Sequence, residues 1–355
     1  MNNGPVVELY IGHLIYSGWT DVRITRGIED MSGSFSLQLT SKITVSDGNI
    51  QVGAECYVEI NNNRVITGYI DDVVINISDT EHTITVTGRD KVADLIDCAA
   101  IHASGRWCNA SLQKIATDLC GAFGINVVWN VDDGEAGEVF RWLQIEPGET
   151  VFEILARAAR QRGVILTSDV YGNLVFTGAG KKNISILTLG DNIKNLCITR
   201  SWRDRFSLYR VIGDCAGGAI WGETQTATQS TAVYANAVDE LVTRYRPTII
   251  VSDDNLNKKS ATVRANWERR RAAAHGQQFS VTVQGWLYDD VNLWLPNHMV
   301  FLTAETYGLF AEELLIIEVE FGVSNDDGMT TKLLLMPRDG FLAPAEPEKR
   351  SAIWR

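Results

Sequence analysis

From Ile70 to Asp90 the chain reads I-D-D-V-V-I-N-I-S-D-T-E-H-T-I-T-V-T-G-R-D, with apolar side chains at alternate positions on both sides of a polar turn. Alternate residues of a strand share one face, so this period predicts a β-hairpin. A second stretch, from Ile316, repeats it as I-I-E-V-E-F-G-V-S-N-D-D-G-M-T-T-K-L-L-L-M-P-R-D. Setting Ile70 on Ile316 places Val73 on Val319, Ile75 on Phe321, Ile77 on Val323 and Ser78 on Ser324. Past the turn, Ile84 meets Leu333, Val86 meets Leu335, and both copies end in Arg-Asp (Arg89-Asp90, Arg338-Asp339). Ser78 to Arg89 is 11 steps and Ser324 to Arg338 is 14, so the second turn is three residues longer. Upstream, Val52 to Ile60 with its turn at Asn61 to Asn63 resembles Leu295 to Leu302 with a turn at Thr306 to Gly308. Period-two patterning is common to all antiparallel meanders; the serine and Arg-Asp landmarks lift this pair above that background.

The pattern divides the rest of the chain. Val6 to Asp97 reads as nearly all β, with Glu8 to Tyr16, Asp21 to Thr25 and Gly33 to Leu39 as strands. Short strands between Gly and Asn turns predict a small closed or nearly closed barrel over residues 1–97. At Cys98 the period changes. Leu112, Ile115, Ala116 and Leu119 fall at helical spacing, with Asn109 or Ser111 as cap and Gly121 as stop. A strand follows at Ile125 to Trp129, then an acidic loop at Val131 to Glu138. Thr150-x-x-Glu153 fits a capping box for a helix with an apolar stripe at Phe152, Leu155, Ala156 and Ala159, ended by Gly163. A hairpin at Val164 to Thr177 completes an α+β domain over residues 98–180. Gly178 to Lys182 reads as a linker. Leu196 to Leu208 then echoes Val22 to Leu37 through Ile-Thr-Arg and Phe-Ser-Leu, opening a second barrel over 181–223 and 276–340. Residues 224–275 form its insertion, with a polar stretch at Thr224 to Asn236, an extended segment at Leu241 to Val251 and a helix from Asp254 to His275. Residues 341–355 are a tail. The expected class is α+β, mainly β: two similar small antiparallel β-barrels, an intervening α+β domain and a helical insertion in the second barrel.

Composition agrees with a large globular protein. At 355 residues the length prior is two or three domains, and 45% apolar with 21% charged residues suits packed cores. A net charge of −12 argues against a grip on nucleic acid, because phosphate binding needs clustered Lys and Arg. The N-terminal Met-Asn-Asn-Gly-Pro carries no basic region followed by an apolar core, and no stretch has membrane-spanning length, so the expectation is a soluble protein made in the cytoplasm. Six scattered cysteines (Cys56, Cys98, Cys108, Cys120, Cys197, Cys215) read as reduced thiols.

Little in the chain suggests catalysis. Cys98, His102, Cys108 and Cys120 cluster in sequence without the paired spacing that zinc needs, and read as thiols at a domain junction. Gly178-Ala-Gly-Lys-Lys-Asn183 lacks the earlier glycine and following Ser/Thr of a phosphate loop. The pairs Asp71-Asp72, Asp132-Asp133, Glu312-Glu313 and Asp326-Asp327 are adjacent residues, whereas glycosidase chemistry needs carboxylates facing across a cleft. There is no G-x-S-x-G. No enzyme, metal or cofactor is expected. The helix with Lys258, Lys259, Arg264, Arg269, Arg270 and Arg271 is the one basic concentration, a solvated face by default and a contact for an acidic neighbour or a second copy as the sharper reading. Trp286, Trp294, Ile353 and Trp354 join those arginines as candidate interface residues, although a tryptophan is more often simply packed.

Several phrases together carry a family resemblance. Gly18-Trp-Thr-Asp-Val-Arg-Ile-Thr-Arg26, Gly33-x-Phe35-x-Leu37, Thr85-Val-Thr-Gly-Arg-Asp90 leading into Ala93-Asp-Leu-Ile-Asp-Cys98, Pro147-Gly-Glu-Thr-Val-Phe152, Gly285-Trp286 and Leu293-Trp-Leu-Pro-Asn297 resemble the baseplate hub protein of Mu-like phages and prophages. The resemblance runs from about Leu9 to Arg338, without landmarks in Thr224 to Leu256 or the tail. It implies a virion protein of a contractile tail baseplate. Such a protein forms a homotrimeric ring whose six similar barrels join a six-fold tail tube and other baseplate proteins to a three-fold tail spike, with DNA passing a central channel without specific binding. The duplicated hairpin, read from pattern alone, fits that geometry. The alternatives are a tail-tip cell-wall hydrolase, resting on the carboxylate pairs, and a spike-type hub of a secretion system, which would usually continue into a long β-spike.

Overall fold

The structure, a computed structural model, describes residues 6–41, 50–79, 82–131, 137, 139–140, 142–213, 233–251, 258–324 and 327–342. The chain divides into two compact units, Met1–Cys197 with Phe279–Leu335, and Ile198–Gln278 with Met336–Arg355. Its elements in order are β1 Val7–Ile11, β2 Leu14–Tyr16, β3 Asp21–Gly27, β4 Ser34–Ser41, β5 Glu55–Ile60, β6 Asn63–Ile77 and β7 His82–Asp90. Next come α1 Ala93–Asp97, β8 Arg106–Trp107, α2 Leu112–Cys120, β9 Val127–Asn130, β10 Leu143–Gln144, α3 Val151–Arg162, β11 Ile165–Ser168 and β12 Leu174–Thr177. After them are β13 Asn183–Thr188, β14 Ile193–Arg200, β15 Leu208–Gly213, β16 Val233–Val238, β17 Pro247–Val251 and α4 Lys258–His275. The series ends with β18 Gln277–Gln284, β19 Met299–Ala304, β20 Leu309–Ser324 and β21 Gly328–Met336.

One 13-stranded sheet dominates, in the order β14-β18-β21-β20-β3-β4-β7-β6-β5-β1-β2, with β19 also on β20 and β13 on β19. Among the described residues this path is open at both ends and no closed barrel forms. The early half of β20 pairs with β19 and its later half, Glu318 to Val323, pairs with β3. The two β-units therefore join edge to edge into one ladder.

The predicted repeat is visible in the register. β5 pairs with β6 and β19 with β20, and both ladders slip between equivalent residues, Val58/Glu59 in one and Leu302/Ala304 in the other. Gly53 N–H donates to Ile70 O (2.8 Å) and Ile70 N–H to Ala54 O (3.1 Å); in the second copy Asn297 N–H donates to Ile316 O and Ile316 N–H to His298 O, both at 2.8 Å. Gly53 and Asn297 both take positive φ, 81° and 62°, as that tight entry requires and as glycine or asparagine tolerates. β4 pairs with β7 through Leu37 and Val86, and β18 pairs with β21 through Phe279 and Leu335. The counterpart of β4 is thus β18. The phrase Phe206-Ser-Leu208, expected to continue the echo of β4, instead leads into β15 of the second unit.

The α+β segment follows the predicted order. β9 joins the β11–β12 hairpin as a parallel strand beside β12, and β8 pairs with β10. α2 buries Leu112, Ile115, Ala116 and Leu119 as its spacing required, with Ser111 as cap. Thr150 and Glu153 form the reciprocal capping box of α3, at 3.2 and 2.8 Å, a device that contributes about 1 kcal/mol. The buried stripe of α3 is Val151, Ile154, Leu155, Ala158 and Ala159, while Phe152 and Ala156 are only partly covered. Both stripes have helical spacing, and packing against α2 and the sheet selects between them.

In the second unit β15 is central, antiparallel to β16 and parallel to β17. α4 seats Ala261 and Ala265 against Tyr209, Val211, Ala235 and Ala237. Gly340, in a 3-10 turn at Arg338–Phe341, lies so close to Ala274 that a side chain there would collide with it.

Candidate assembly interface

The in-chain junction between the β-units shows what a completed edge looks like. Six rungs join β20 to β3: Glu318↔Gly27, Val319↔Arg26, Glu320↔Thr25, Phe321↔Ile24, Gly322↔Arg23 and Val323↔Val22. Val319 and Phe321, 0% and 2% exposed, pack beside buried Ile24 and Val22 on one face, and Arg23 reaches Glu320 at 3.7 Å on the other. The repeat positions on β6 are Val73, Ile75 and Ile77. There β5 pairs only as far as Tyr69, and among the described residues no strand lies along that edge beyond it. Ile75 is 46% and Ile77 77% exposed, and Val74 is exposed too. At the far end of the sheet β14 pairs with β18, and among the described residues its only other partner is an isolated bridge from Ile193 to Leu189, before the stretch Leu196 to Arg200. Equivalent positions are thus more deeply buried in the second copy than in the first, most sharply Phe321 at 2% against Ile75 at 46% exposed.

The first β-unit is tied to the α+β segment through Asp90. Its carboxylate is 1% exposed and accepts hydrogen bonds from Gly33 N–H (2.7 Å), Ser32 Oγ (2.8 Å) and Ser168 Oγ. Arg26 lies near it and donates to Ser168 O at 2.8 Å, and Thr167 Oγ1 donates to Gly27 O at 2.9 Å. Burial pushes the Asp90 carboxyl above its ordinary range, opposed by the donors from Ser168, Gly33 and Ser32 and by the Arg26 charge. Its repeat counterpart Asp339 is exposed. Arg89 holds Asp71 at 2.7 Å and Asp97 at 2.8 Å. The Arg-Asp landmark therefore serves a buried polar knot in the first copy.

The residues singled out from sequence are dispersed. Trp286 (2% exposed) and Trp294 (4%) are packed inside the first unit; the Trp286 indole donates to Thr330 O at 3.0 Å and to Gly322 O at 3.2 Å. Their area belongs to the chain's own core. Arg264, Arg269, Arg270 and Arg271 are half-buried on α4; Arg264 pairs with Glu268, and Arg264 and Arg271 flank the Trp267 ring at 4.8 and 5.5 Å. Ile353 and Trp354 lie outside the described residues, as do Asp132, Asp133, Asp326 and Cys215. His102 stacks on Trp107 and contacts Ser104, Cys98 and Cys108 are exposed and Cys120 is buried. Among the described residues no group of three His, Cys, Asp or Glu side chains could hold a metal. Asp71 is engaged by Arg89, and Glu312 and Glu313, neighbours on a strand, point to opposite faces. The linker at Gly178 to Gly180 is pinned by Asn297, whose side chain accepts from Gly180 N–H (2.8 Å) and donates to Gly178 O (3.0 Å). No helix of the described residues is long and apolar enough to cross a membrane. The edge residues Ile75 and Ile77 and the Asp90 knot are not among the sites that local sequence pattern marks. Only for the edge was a signal present, since the repeat alignment pairs them with Phe321 and Val323.

Comparison with known proteins agrees with this architecture. Residues 6–90 match the N-terminal domain model of the Mu phage baseplate assembly protein GpP-like family. Residues 92–178 match the second domain of the baseplate hub protein gp44-like family, and 257–344 the fourth domain of the Mu phage baseplate assembly protein GpP. The chain is 38% identical over 337 residues to the baseplate hub protein gp44 of Escherichia phage Mu, covering 95% of this chain and 89% of that one. The 43 kDa tail protein of prophage MuSo2 from Shewanella oneidensis shares 39% identity and a TM-score of 0.84, over 96% of this chain and 100% of that one. A tail protein from Neisseria meningitidis MC58, at 22% identity, has the same fold with a TM-score of 0.83 over 96% and 98% of the two chains. Sequence, strand register and these likenesses converge: the chain belongs to the family of Mu-type phage baseplate hub proteins.

Proposed function

We propose that three copies of this chain assemble as a ring with a central channel at the tip of a contractile tail, joining a six-fold tail tube to a three-fold spike. The supporting observation is the recurrence of one strand register, slip and entry turn included, in two places along one chain. A chain with two equivalent β-units gives a trimer six equivalent positions, which is what an adaptor between six-fold and three-fold partners needs. In this reading the β-units act as the ring's six barrel positions and the protein is structural, without turnover. The net charge of −12 suits passage of DNA without capture. Light scattering of the purified protein is expected to give a trimer, and negative-stain images a ring with a hole. A stable monomer at micromolar concentration would overturn the proposal.

Docking of the spike or of a neighbouring subunit is assigned to the tail with Ile353 and Trp354, and to the α4 arginines. Deleting residues 344–355 is expected to leave the ring intact and to abolish spike capture in a pull-down. Unchanged capture would remove the tail from the interface.

A further inference from the structure

The two open edges described above are halves of one joint. We propose that the β14 edge of one copy pairs antiparallel with Asp72 to Ile77 of β6 in the next copy, in the register that β3 and β20 use within the chain. This rests on the ring assembly proposed above and specifies the strands and rungs that close it.

β6 and β20 occupy the same place in the repeat, and each offers its later half as an edge after its first partner, β5 or β19, has ended. On β20 that edge carries β3. β14 stands to β18 as β3 stands to β4, at the outer side of the strand that pairs with the hairpin. It also carries the same phrase, Ile198-Thr-Arg200 for Ile24-Thr-Arg26. Transferring the rungs gives Val73↔Arg200, Val74↔Thr199, Ile75↔Ile198, Asn76↔Cys197 and Ile77↔Leu196. The apolar side chains of Ile75 and Ile77 then meet Ile198 and Leu196, as Phe321 and Val323 meet Ile24 and Val22. An apolar strand edge left open invites uncontrolled pairing, and an ordered partner removes that liability. A joint between unlike surfaces of identical chains closes as a ring when its rotation closes, and here the same joint would occur once within each chain and once between neighbours.

One rung makes a direct test possible. Ile28 N–H donates to Ile317 O at 2.9 Å, one step beyond Glu318↔Gly27. Hydrogen-bonded and non-bonded rungs alternate, so Gly322↔Arg23 is a non-bonded rung with Cα atoms about 4.5 Å apart. Its transferred equivalent is Asn76↔Cys197, both exposed in the single chain. That spacing lies within the range a disulfide spans.

The full-length N76C variant, mildly oxidised, is expected to give covalently joined chains on a non-reducing gel where the wild type gives none. Adding C197S should abolish them, which excludes the exposed Cys98 and Cys108 as partners. A companion Ile75→Lys/Ile77→Lys variant should lose the trimer by light scattering while keeping the wild-type circular dichroism spectrum. A trimer without the Asn76→Cys cross-link, or one that survives both lysines, would overturn this pairing and leave the ring standing. A monomeric wild type would overturn the ring as well.

Discussion

Replacing Asp90 by Ala is expected to destabilise the chain by about 3–5 kcal/mol, the range for removing one partner of a buried charged network. Three donors, Gly33 N–H, Ser32 Oγ and Ser168 Oγ, would lose this acceptor inside the protein, and buried Arg26 would keep only Asp169 of the two carboxylates that favour its charge. The knot also joins the ends of β3 and β7 to β11, so its loss should loosen the α+β segment from the first β-unit. Urea midpoints measure the cost; a change within about 0.5 kcal/mol, as at ordinary surface sites, would refute it. Asp90→Asn keeps an acceptor and should cost less. It also isolates the pH dependence. Burial raises the folded carboxyl above its unfolded value near 3.9, so the folded state holds the proton longer than the unfolded one. The contribution is then fully present below about pH 4 and is lost as pH rises through the elevated folded pKa. Wild-type stability should fall across that window relative to Asp90→Asn, and parallel profiles would refute the assignment.

The second large effect is steric. A Cβ at Gly68 would overlap the backbone oxygen of Arg89, and backbone on the paired strand cannot swing aside as a side chain can. Gly68→Ala is therefore expected to cost about 3 kcal/mol or more, at or beyond the upper end of ordinary overpacking. Gly12 supplies the control: it has positive φ (57°), and a methyl added there would meet nothing within 4 Å, so Gly12→Ala isolates backbone strain, about 1–2 kcal/mol. Equal urea midpoints for the two variants would show that the close approach is not what requires glycine. The repeat counterpart of Gly68 is Leu314, a buried side chain. The two copies thus share a register without sharing every packing solution.

How far the fold could be read follows from how local its signals are. The hairpins at Ile70 and Ile316, the Thr150 capping box and the α2 stripe each lie within about twenty residues, and each is present as read. The stripe of α3 was displaced because Phe152 and Ile154 fit helical spacing equally well, and only the packed neighbours distinguish them. Local phrase matching points to Phe206-Ser-Leu208 as the counterpart of β4, whereas the register gives β18, because an entire second unit intervenes before that strand. The same distance hides the Asp90 knot, whose partners Ser32 and Ser168 lie 58 and 78 residues away.

By itself the sequence determined the repeat, the mainly β class, the α+β segment and the family, because strand period, capping chemistry and short phrases are written in neighbouring residues. The tertiary structure alone decided that the β-units join through β3 and β20 into an open ladder, and that Trp286 and Trp294 belong to the core. It also decided that Ile75 and Ile77 stand exposed where Phe321 and Val323 have a strand beside them. Alternation specifies which face of a strand is apolar. Which strand lies along its edge is set by long-range pairing, to which residues far apart in the chain contribute together.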